Sequence, residues 1–294
     1  MLLVIAMYKI IKNECIANNI FELVVEANLV VEKCLPGQFV IVMAKENSER
    51  IPLTIYDYDR DKGYLSMIYQ VVGASTLELS KTDDFLFSVV GPLGKSSELI
   101  KNPSILKTKK VLFVAGGVGI APVFPQAKYL SDLGIKIDII YGAKSKDYII
   151  IEDKVRNVCD NLYIMTDDGS YGKKGLVTDC LKDLDNIYDV CVAIGPVIMM
   201  KYVSLLTKKL NLKTIVSMNP IMVDGTGMCG ACRLIVDGEI KFACVDGPEF
   251  DGHLVDFDTA IKRMSIYKTE EGRKKLMLEE GSTHHGGCGN CGDK

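Results

Sequence analysis

The chain is short of basic charge, of histidine and of uninterrupted apolar runs. Of 294 residues, 35 are Lys or Arg and 38 are Asp or Glu, a formal net charge of −3. A polyanion-binding surface needs a basic excess, so no nucleic-acid partner is expected. No apolar run of about 18 uncharged residues free of Gly and Pro occurs, so no membrane span is expected. Met-Leu-Leu-Val-Ile-Ala at the start lacks the basic stretch of a secretory signal, and a cytoplasmic location is expected. Tryptophan is absent, which constrains little. With three His in the chain, no His-centred triad stands out, and no internal repeat is visible.

Cysteine, by contrast, is plentiful: ten residues. Cys15, Cys34, Cys159, Cys180 and Cys191 are scattered through apolar or mixed segments. They read as small buried hydrophobes in a reducing compartment. Asp224, Cys229, Cys232 and Cys244 instead form D-x4-C-x2-C-x11-C. Plant-type [2Fe–2S] sites use C-x4-C-x2-C and a distant fourth Cys. The spacing fits, with Asp in the first position. Gly225, Gly227 and Gly230 interleave the ligands, and a loop around a cluster must turn tightly. After Cys232, Asp237-Gly238 separates two β-prone runs, a strong hairpin signal. That turn pairs Val236 with Glu239 and places Cys232 opposite Ala243. Cys244 then lies one residue off register, within cluster reach.

Two other readings of these residues stand beside this one. Asp224 before Gly is also a common turn residue. Cys288 and Cys291 form a second C-x2-C, and with Cys229 and Cys232 they could make a four-Cys zinc site. That gap is far longer than in a zinc ribbon, and it leaves Cys244 idle. The zinc reading would make the chain a non-enzymatic zinc or redox-sensing protein.

Residues 1–98 carry short β-like runs, Phe21–Glu26, Phe39–Ala44, Leu65–Val72 and Phe85–Val90, with Gly/Pro punctuation between them. This predicts a barrel or sandwich. Asn102 to Lys110 read as a polar linker. From 105 to 218 the rhythm changes to strand–helix alternation. Strands are predicted at Val111–Ala115, Ile135–Tyr141, Leu162–Thr166, Val190–Ile194 and Thr214–Met218. Helices are predicted at Val123–Leu133, Ile149–Cys159, Leu176–Leu184 and Met199–Leu210. Such alternation argues for a parallel α/β sheet. Residues 219–257 hold the cluster module. Residues 258–294 read as a charged helix, Ile261–Glu280, and a Gly/His/Cys tail. The fold class expected is β plus α/β, with three modules and a tail.

Gly116-Gly117-Val118-Gly119 follows a buried strand and opens a helix, with Pro122 acceptable in the first turn. Glycines there let backbone N–H groups approach a pyrophosphate. Gly195-Pro196 and Met199 sit at the C-terminal end of another strand, the ligand-binding edge of an open α/β sheet. Asp167-Asp168-Gly-Ser170 also follows a strand, and an Asx-type turn explains it equally well. Lys144 and Lys146, after the strand ending at Tyr141, would suit a 2′-phosphate or simply be solvated. In the first module, Arg50 offers a cation for phosphate and Thr54 a hydroxyl for a ring. Gly73, Ser75 and Thr76 end a strand and cap a helix-like run, with N–H groups that a phosphate could also use.

Together these residues resemble the flavodoxin/ferredoxin reductase superfamily: a flavin barrel, Gly-Gly-x-Gly-x-Ala-Pro, Gly-Pro-x-x-Met, then a C-terminal [2Fe–2S] module. Two subunit families share that order, the electron-transfer subunits of dihydroorotate dehydrogenase and the small subunits of NADH-dependent reduced ferredoxin:NADP oxidoreductase. Arg50-Ile-Pro-Leu-Thr-Ile, Gly91-Pro-Leu-Gly94, Asp167-Asp-Gly-Ser170, Asp224-Gly-Thr-Gly-Met-Cys-Gly and Cys244-Val-Asp-Gly-Pro-Glu-Phe-Asp-Gly-His253 carry the likeness. Asp in place of the first Cys resembles the second family. The resemblance implies an oxidoreductase subunit using FAD, a [2Fe–2S] cluster and NAD(H). It places Arg50, Pro52, Leu53, Thr54, Tyr69, Gly73, Ser75 and Thr76 at FAD. It places Gly116, Gly117, Gly119, Pro122, Asp167, Asp168, Gly195, Pro196 and Met199 at NAD. Asp224, Cys229, Cys232 and Cys244 would ligate the cluster. The wider superfamily has Arg-x-Tyr-Ser where this chain has Ile51-Pro-Leu-Thr54, so Arg50 stands one residue early. The resemblance further implies a large partner subunit with its own FAD and [4Fe–4S] clusters, reaching ferredoxin indirectly. No catalytic side chain is required, because hydride transfer is the cofactors' chemistry.

Overall fold

Apolar residues at alternate positions set most of the first strands, while Phe39–Met43 is buried on both faces. The computed structural model describes residues 7–106, 110–184 and 187–279. The strands are β1 (Tyr8–Ala17), β2 (Ile20–Glu26), β3 (Phe39–Met43), β4 (Ile51–Asp59), β5 (Tyr64–Gln70), β6 (Phe85–Leu86) and β7 (Ser88–Leu93). They form one antiparallel sheet in the order β6-β1-β2-β5-β4-β3-β7, curled into a nearly closed barrel. Leu23 and Val25 on β2, Val40 and Val42 on β3, and Leu65 and Met67 on β5 point inward with period two. A short helix α1 (Asn28–Lys33) adds Val30 and Val31 to that core. A second, α2 (Ala74–Leu79), follows β5 and buries Leu79.

A third short helix, α3 (Glu98–Lys101), leads out of the barrel. Then β8 (Lys110–Gly116), α4 (Ile120–Asp132), β9 (Lys136–Ala143), α5 (Glu152–Arg156), β10 (Asn161–Thr166), β11 (Lys173–Lys174), α6 (Val177–Asp183), β12 (Val190–Ile194), α7 (Val197–Lys209) and β13 (Thr214–Ser217) alternate. The strands are parallel, in the order β11-β10-β9-β8-β12-β13. Helices cover both faces, so β8 is apolar throughout its interior. Val111, Phe113 and Ala115 face the α4 side with Val123, Phe124 and Ala127. Leu112 and Val114 face the other, with Val177 of α6 and Val197 and Met200 of α7. Chain order reverses between β8 and β12, which makes that gap the topological switch point.

The last module has a hairpin, β14 (Arg233–Val236) and β15 (Glu239–Phe242). Asp237 and Gly238 both adopt positive φ, 52° and 74°, as a two-residue hairpin turn requires. A further strand, β16 (Glu249–Asp251), pairs antiparallel with β13 and becomes the edge of the parallel sheet. The sheet expected to be all parallel therefore carries an antiparallel edge strand, donated by the next module. Helix α8 (Phe257–Met264) is capped by Asp256, which accepts from Thr259 N at 3.0 Å. A final helix is α9 (Lys268–Glu279). The charged helix expected from Ile261 is thus two helices. The Gly/His/Cys tail with Cys288 and Cys291 lies outside the described residues. Among the described residues no helix is long and apolar enough to cross a membrane.

Candidate functional site

The loop from Asp224 to Cys232 is shaped by three left-handed glycines, Gly225 (φ 81°), Gly227 (φ 87°) and Gly230 (φ 66°). Such a backbone turns successive N–H groups to one side, making an anion-binding concavity. Asp224 accepts from Thr226 N at 3.0 Å and from the Thr226 hydroxyl. These two bonds, and one from Met228 N–H, hold its carboxyl below the usual range. The N–H groups of Ala231 and Asp224 aim at the Cys229 sulfur and lower its thiol, while the Asp224 charge beside it acts the other way. The Gly227 N–H aims at Cys244.

The hairpin supplies the remaining pair. Val236 pairs with Glu239, Arg233 with Phe242, and Ala243 N donates to Cys232 O at 3.1 Å. That is the register counted from the Asp-Gly turn. Cys232 Sγ and Cys244 Sγ stand 3.2 Å apart, both buried. Burial and the neighbouring Cys232 push the Cys244 thiol up to about 12. Two buried thiols this close resist ionisation together unless a cation lies between them. A cation bound by both would space them at roughly 3.8 Å, from tetrahedral geometry with ~2.3 Å bonds. The donor set therefore falls into two pairs, Asp224 with Cys229 and Cys232 with Cys244, which suits a two-iron cluster. Cys229 is exposed. Among the described residues no three His, Cys, Asp or Glu side chains converge on a single point. The fit to a cluster rests on the pairing and on the inward N–H groups.

The cluster loop is seated on the barrel. A Cβ on Gly225 would lie 2.4 Å from Ile41 Cδ1 on β3 and 2.9 Å from Leu93 Cδ1 on β7. Glycine suits both that close approach and the positive φ of 81° at this position. From the other side, Arg50 Nε donates to Val223 O at 2.9 Å and Nη2 to Asp224 O at 3.2 Å.

The flavin candidates lie on and beside β4. Leu53 points into the barrel core, while Pro52 and Thr54 face outward and are half-buried. The Tyr69 ring belongs to the barrel, stacked on Phe21 at 5.6 Å, with its hydroxyl donating to Asn13 Oδ1 at 3.0 Å. Gly73 caps α2, and a Cβ there would meet nothing. Thr76 Oγ1 accepts from Val72 N at 3.0 Å and Gly73 N at 3.2 Å. That hydroxyl is serving as a helix cap. Ser75 donates to Glu49, which also receives Lys274 from α9. Lys274 first, then Ser75, hold the Glu49 carboxyl below its usual range.

The nucleotide candidates meet at the switch point. A Cβ on Gly116 would lie 2.6 Å from Met199 Sδ and 2.9 Å from Pro196 Cδ. One on Gly195 would lie 3.0 Å from Gly116 Cα. The loops after β8 and β12 are thus in contact across the gap. A Cβ on Gly119 would meet Ile194 O at 2.2 Å, so that glycine lets α4 start against β12. Gly117 (φ 55°) has open space where a Cβ would be, so its backbone faces the cleft. Pro122 lies in the first turn of α4, where it forfeits no hydrogen bond. Asp167 and Asp168 follow β10, two strands away. Asp168 accepts from Ser170 N at 2.9 Å and Ser170 Oγ at 2.6 Å, an Asx-type turn that lowers its carboxyl. Asp167 is exposed beside it.

Sequence reasoning missed one polar group in the junction. Glu249 on β16 accepts from Gln126 Nε2 of α4 at 2.8 Å, and a Cβ on Gly37 of the barrel would lie 3.4 Å from its Oε1. Its Oε2, Gln126 Oε1 and the Ser97 hydroxyl are buried with no partner within hydrogen-bond distance, and Ser97 lies near enough to the carboxyl to favour its charged form. Burial raises the Glu249 carboxyl. No local pattern marks these residues, because they meet only in three dimensions. His253 packs with its Nε2 3.1 Å from Thr207 Oγ1.

A family model described as the iron–sulfur cluster binding domain of dihydroorotate dehydrogenase B matches residues 219–256. A homologue of the dihydroorotate dehydrogenase B (NAD(+)) electron transfer subunit from Thermotoga maritima is 46% identical, covering 90% of this chain and 93% of that protein. An uncharacterised protein from Clostridium beijerinckii is 53% identical over 98% of this chain and all of its own length, 100%. A chain from the structure of an NADH-dependent reduced ferredoxin-NADP oxidoreductase, solved in connection with flavin-based electron bifurcation, superposes with TM-score 0.84. It is 43% identical, covering 93% of this chain and 98% of that one. The cytochrome b5 reductase domain of Ulva prolifera nitrate reductase is 14% identical with TM-score 0.56, which shows a shared fold.

Proposed function

The chain belongs to the family of dihydroorotate dehydrogenase B electron-transfer subunits and their homologues, and from that premise we propose that it passes electrons between NAD(H), FAD and a [2Fe–2S] cluster and delivers them to a partner subunit. The observation that carries this reading is the cluster loop. Its N–H groups aim at Asp224, Cys229 and Cys244, and the loop is pressed onto the flavin barrel through Gly225. When bound, the nicotinamide and flavin supply hydride chemistry and the cluster supplies one-electron chemistry. The protein's part is holding and orienting.

Gly116, Gly117 and Gly119, with Gly195, Pro196 and Met199, present backbone and a soft apolar side chain to the nicotinamide nucleotide at the switch point. Pro122 sits in the first turn of α4, whose first N–H groups face the pyrophosphate. Asp168 locks its own loop, which leaves Asp167 to take ribose hydroxyls. Pro52, Leu53 and Thr54 form the strand against the isoalloxazine, and the Tyr69 ring braces that barrel wall from inside. Gly73, Ser75 and Thr76 offer the N-terminal turn of α2 to the FAD pyrophosphate. Asp224, Cys229, Cys232 and Cys244 hold the cluster.

The partner we favour is a large subunit with its own FAD and [4Fe–4S] clusters, which reaches ferredoxin. The Asp in the first ligand position and the 43% identity over nearly the whole chain support it. The alternative partner is a dihydroorotate-oxidising subunit, as the name of the matching family model suggests. A cytoplasmic setting agrees with the eight described cysteines, all unpaired by disulfides. Protein purified without oxygen is expected to contain one FAD, two irons and two acid-labile sulfides per chain. The large subunit is expected to co-purify from the native source. Zinc in place of iron, with no flavin, would overturn the proposal in favour of the zinc-binding reading.

A further inference from the structure

Arg50 stands one residue early for the superfamily's phosphate-binding arginine, and its guanidinium is engaged elsewhere. It donates to two successive carbonyls of the cluster loop, at Val223 and Asp224, 173 and 174 positions away in sequence. Two neighbouring features give this contact a purpose. Arg50 leads directly into β4, the strand carrying Pro52, Leu53 and Thr54. The same loop packs against Ile41 of β3 and Leu93 of β7 at Gly225, in a close approach with positive φ that suits glycine. The loop is therefore held at two points on the barrel, one apolar and one charged.

We propose that Arg50 is a positioning residue for the cluster rather than a ligand for the FAD phosphate. Its planar fork, reaching two adjacent carbonyls, fixes the Asp224 side of the cluster loop against the flavin-bearing strand. The inference rests on the reading that FAD and a [2Fe–2S] cluster occupy these sites. It adds a physical consequence. A reduced cluster carries one more negative charge than an oxidised one. A fixed cation beside its oxygen ligand favours the reduced form and so raises the reduction potential. Lysine at this position keeps the charge but cannot span both carbonyls.

The test uses R50Q and R50K in the full chain, purified without oxygen. FAD and iron are quantified, and the cluster is followed by EPR during a redox titration. In R50Q, FAD per chain stays at the wild-type level, while the cluster's midpoint moves to lower potential and its g-values shift. Loss of iron from R50Q with FAD retained would support the same assignment. R50K recovers the midpoint in large part but keeps altered g-values, because the loop is no longer gripped at two points. Loss of FAD from R50Q with an unchanged cluster signal would overturn the proposal and return Arg50 to the phosphate. Wild-type behaviour of both variants would also overturn it. If R50Q does not fold, R50K decides between the same outcomes by its g-values and FAD content. A wild-type protein without iron and flavin would sink the underlying reading instead, and the two failures are distinguishable.

Discussion

At the scale of single residues, the chain separates groups kept ionised from groups kept neutral. Asp224 and Cys229 lie among inward N–H groups that favour their charged forms. Cys244 and the carboxyl end of the half-buried Glu249 are shielded from water, which favours their neutral forms. Glu249 gives a clean prediction because it lies outside the cluster ligands. Its folded pKa is raised, so between the unfolded value, ~4.3, and the folded one the native state binds the extra proton. Its contribution to stability is full at low pH and is lost as pH rises through the folded value. A proton on the carboxyl removes the buried charge and supplies the donor that its pair with Gln126 lacks. Glu249→Gln is therefore expected to flatten the alkaline side of the stability profile and to be more stable than the wild type near pH 8. Denaturant melts of both proteins from pH 5 to pH 9 check this. Parallel profiles would mean that Glu249 titrates normally.

At the scale of elements, the proposed nucleotide site depends on the contact between α4 and β12. Gly119 has ordinary helical φ, −62°, so an alanine there suffers no backbone strain. It suffers a collision, because its Cβ would meet the Ile194 carbonyl at 2.2 Å. Gly119→Ala is expected to push α4 off the strand, cost about 1–3 kcal/mol, and weaken NADH binding at least about tenfold. Gly117→Ala differs in mechanism: its Cβ meets no protein atom, and the fold pays only for positive φ, about 1–2 kcal/mol. Thermal melts and NADH titrations of Gly119→Ala check the prediction. Equal stability for Gly119→Ala and wild type would refute the close approach. Elements of this kind were legible in the sequence wherever one local rule governed. Val190–Ile194 is a buried parallel strand with the same bounds as expected. The Asp-Gly turn set the register that brings Cys232 to Cys244. Helix α4 begins at Ile120, before the expected Val123, because Pro122 sits inside its first turn. The segments 8–17 and 28–33 were not read as β1 and α1, since mixed polar residues there hide the pattern.

At the scale of the whole molecule, the three modules are tied together at the point where electrons would cross. Strand β16 extends the nucleotide sheet from the cluster module, Glu249 reaches Gln126, and Arg50 and Gly225 bind the cluster loop to the barrel. None of these ties is visible in sequence, because each joins residues far apart in the chain. The glycine-built turns of the loop after β8 and of the loop from Asp224 to Cys232 are visible in sequence, because positive φ calls for glycines at short, fixed spacings. The central claim is that one chain conducts from nicotinamide to flavin to cluster. The most direct measurement is the visible spectrum of oxygen-free protein before and after NADH is added. The account predicts that the flavin bands bleach and that the broad iron–sulfur absorption falls with them. Flavin that bleaches in protein with no iron–sulfur absorption would contradict it, leaving a simple flavin reductase and no role for the loop from Asp224 to Cys244.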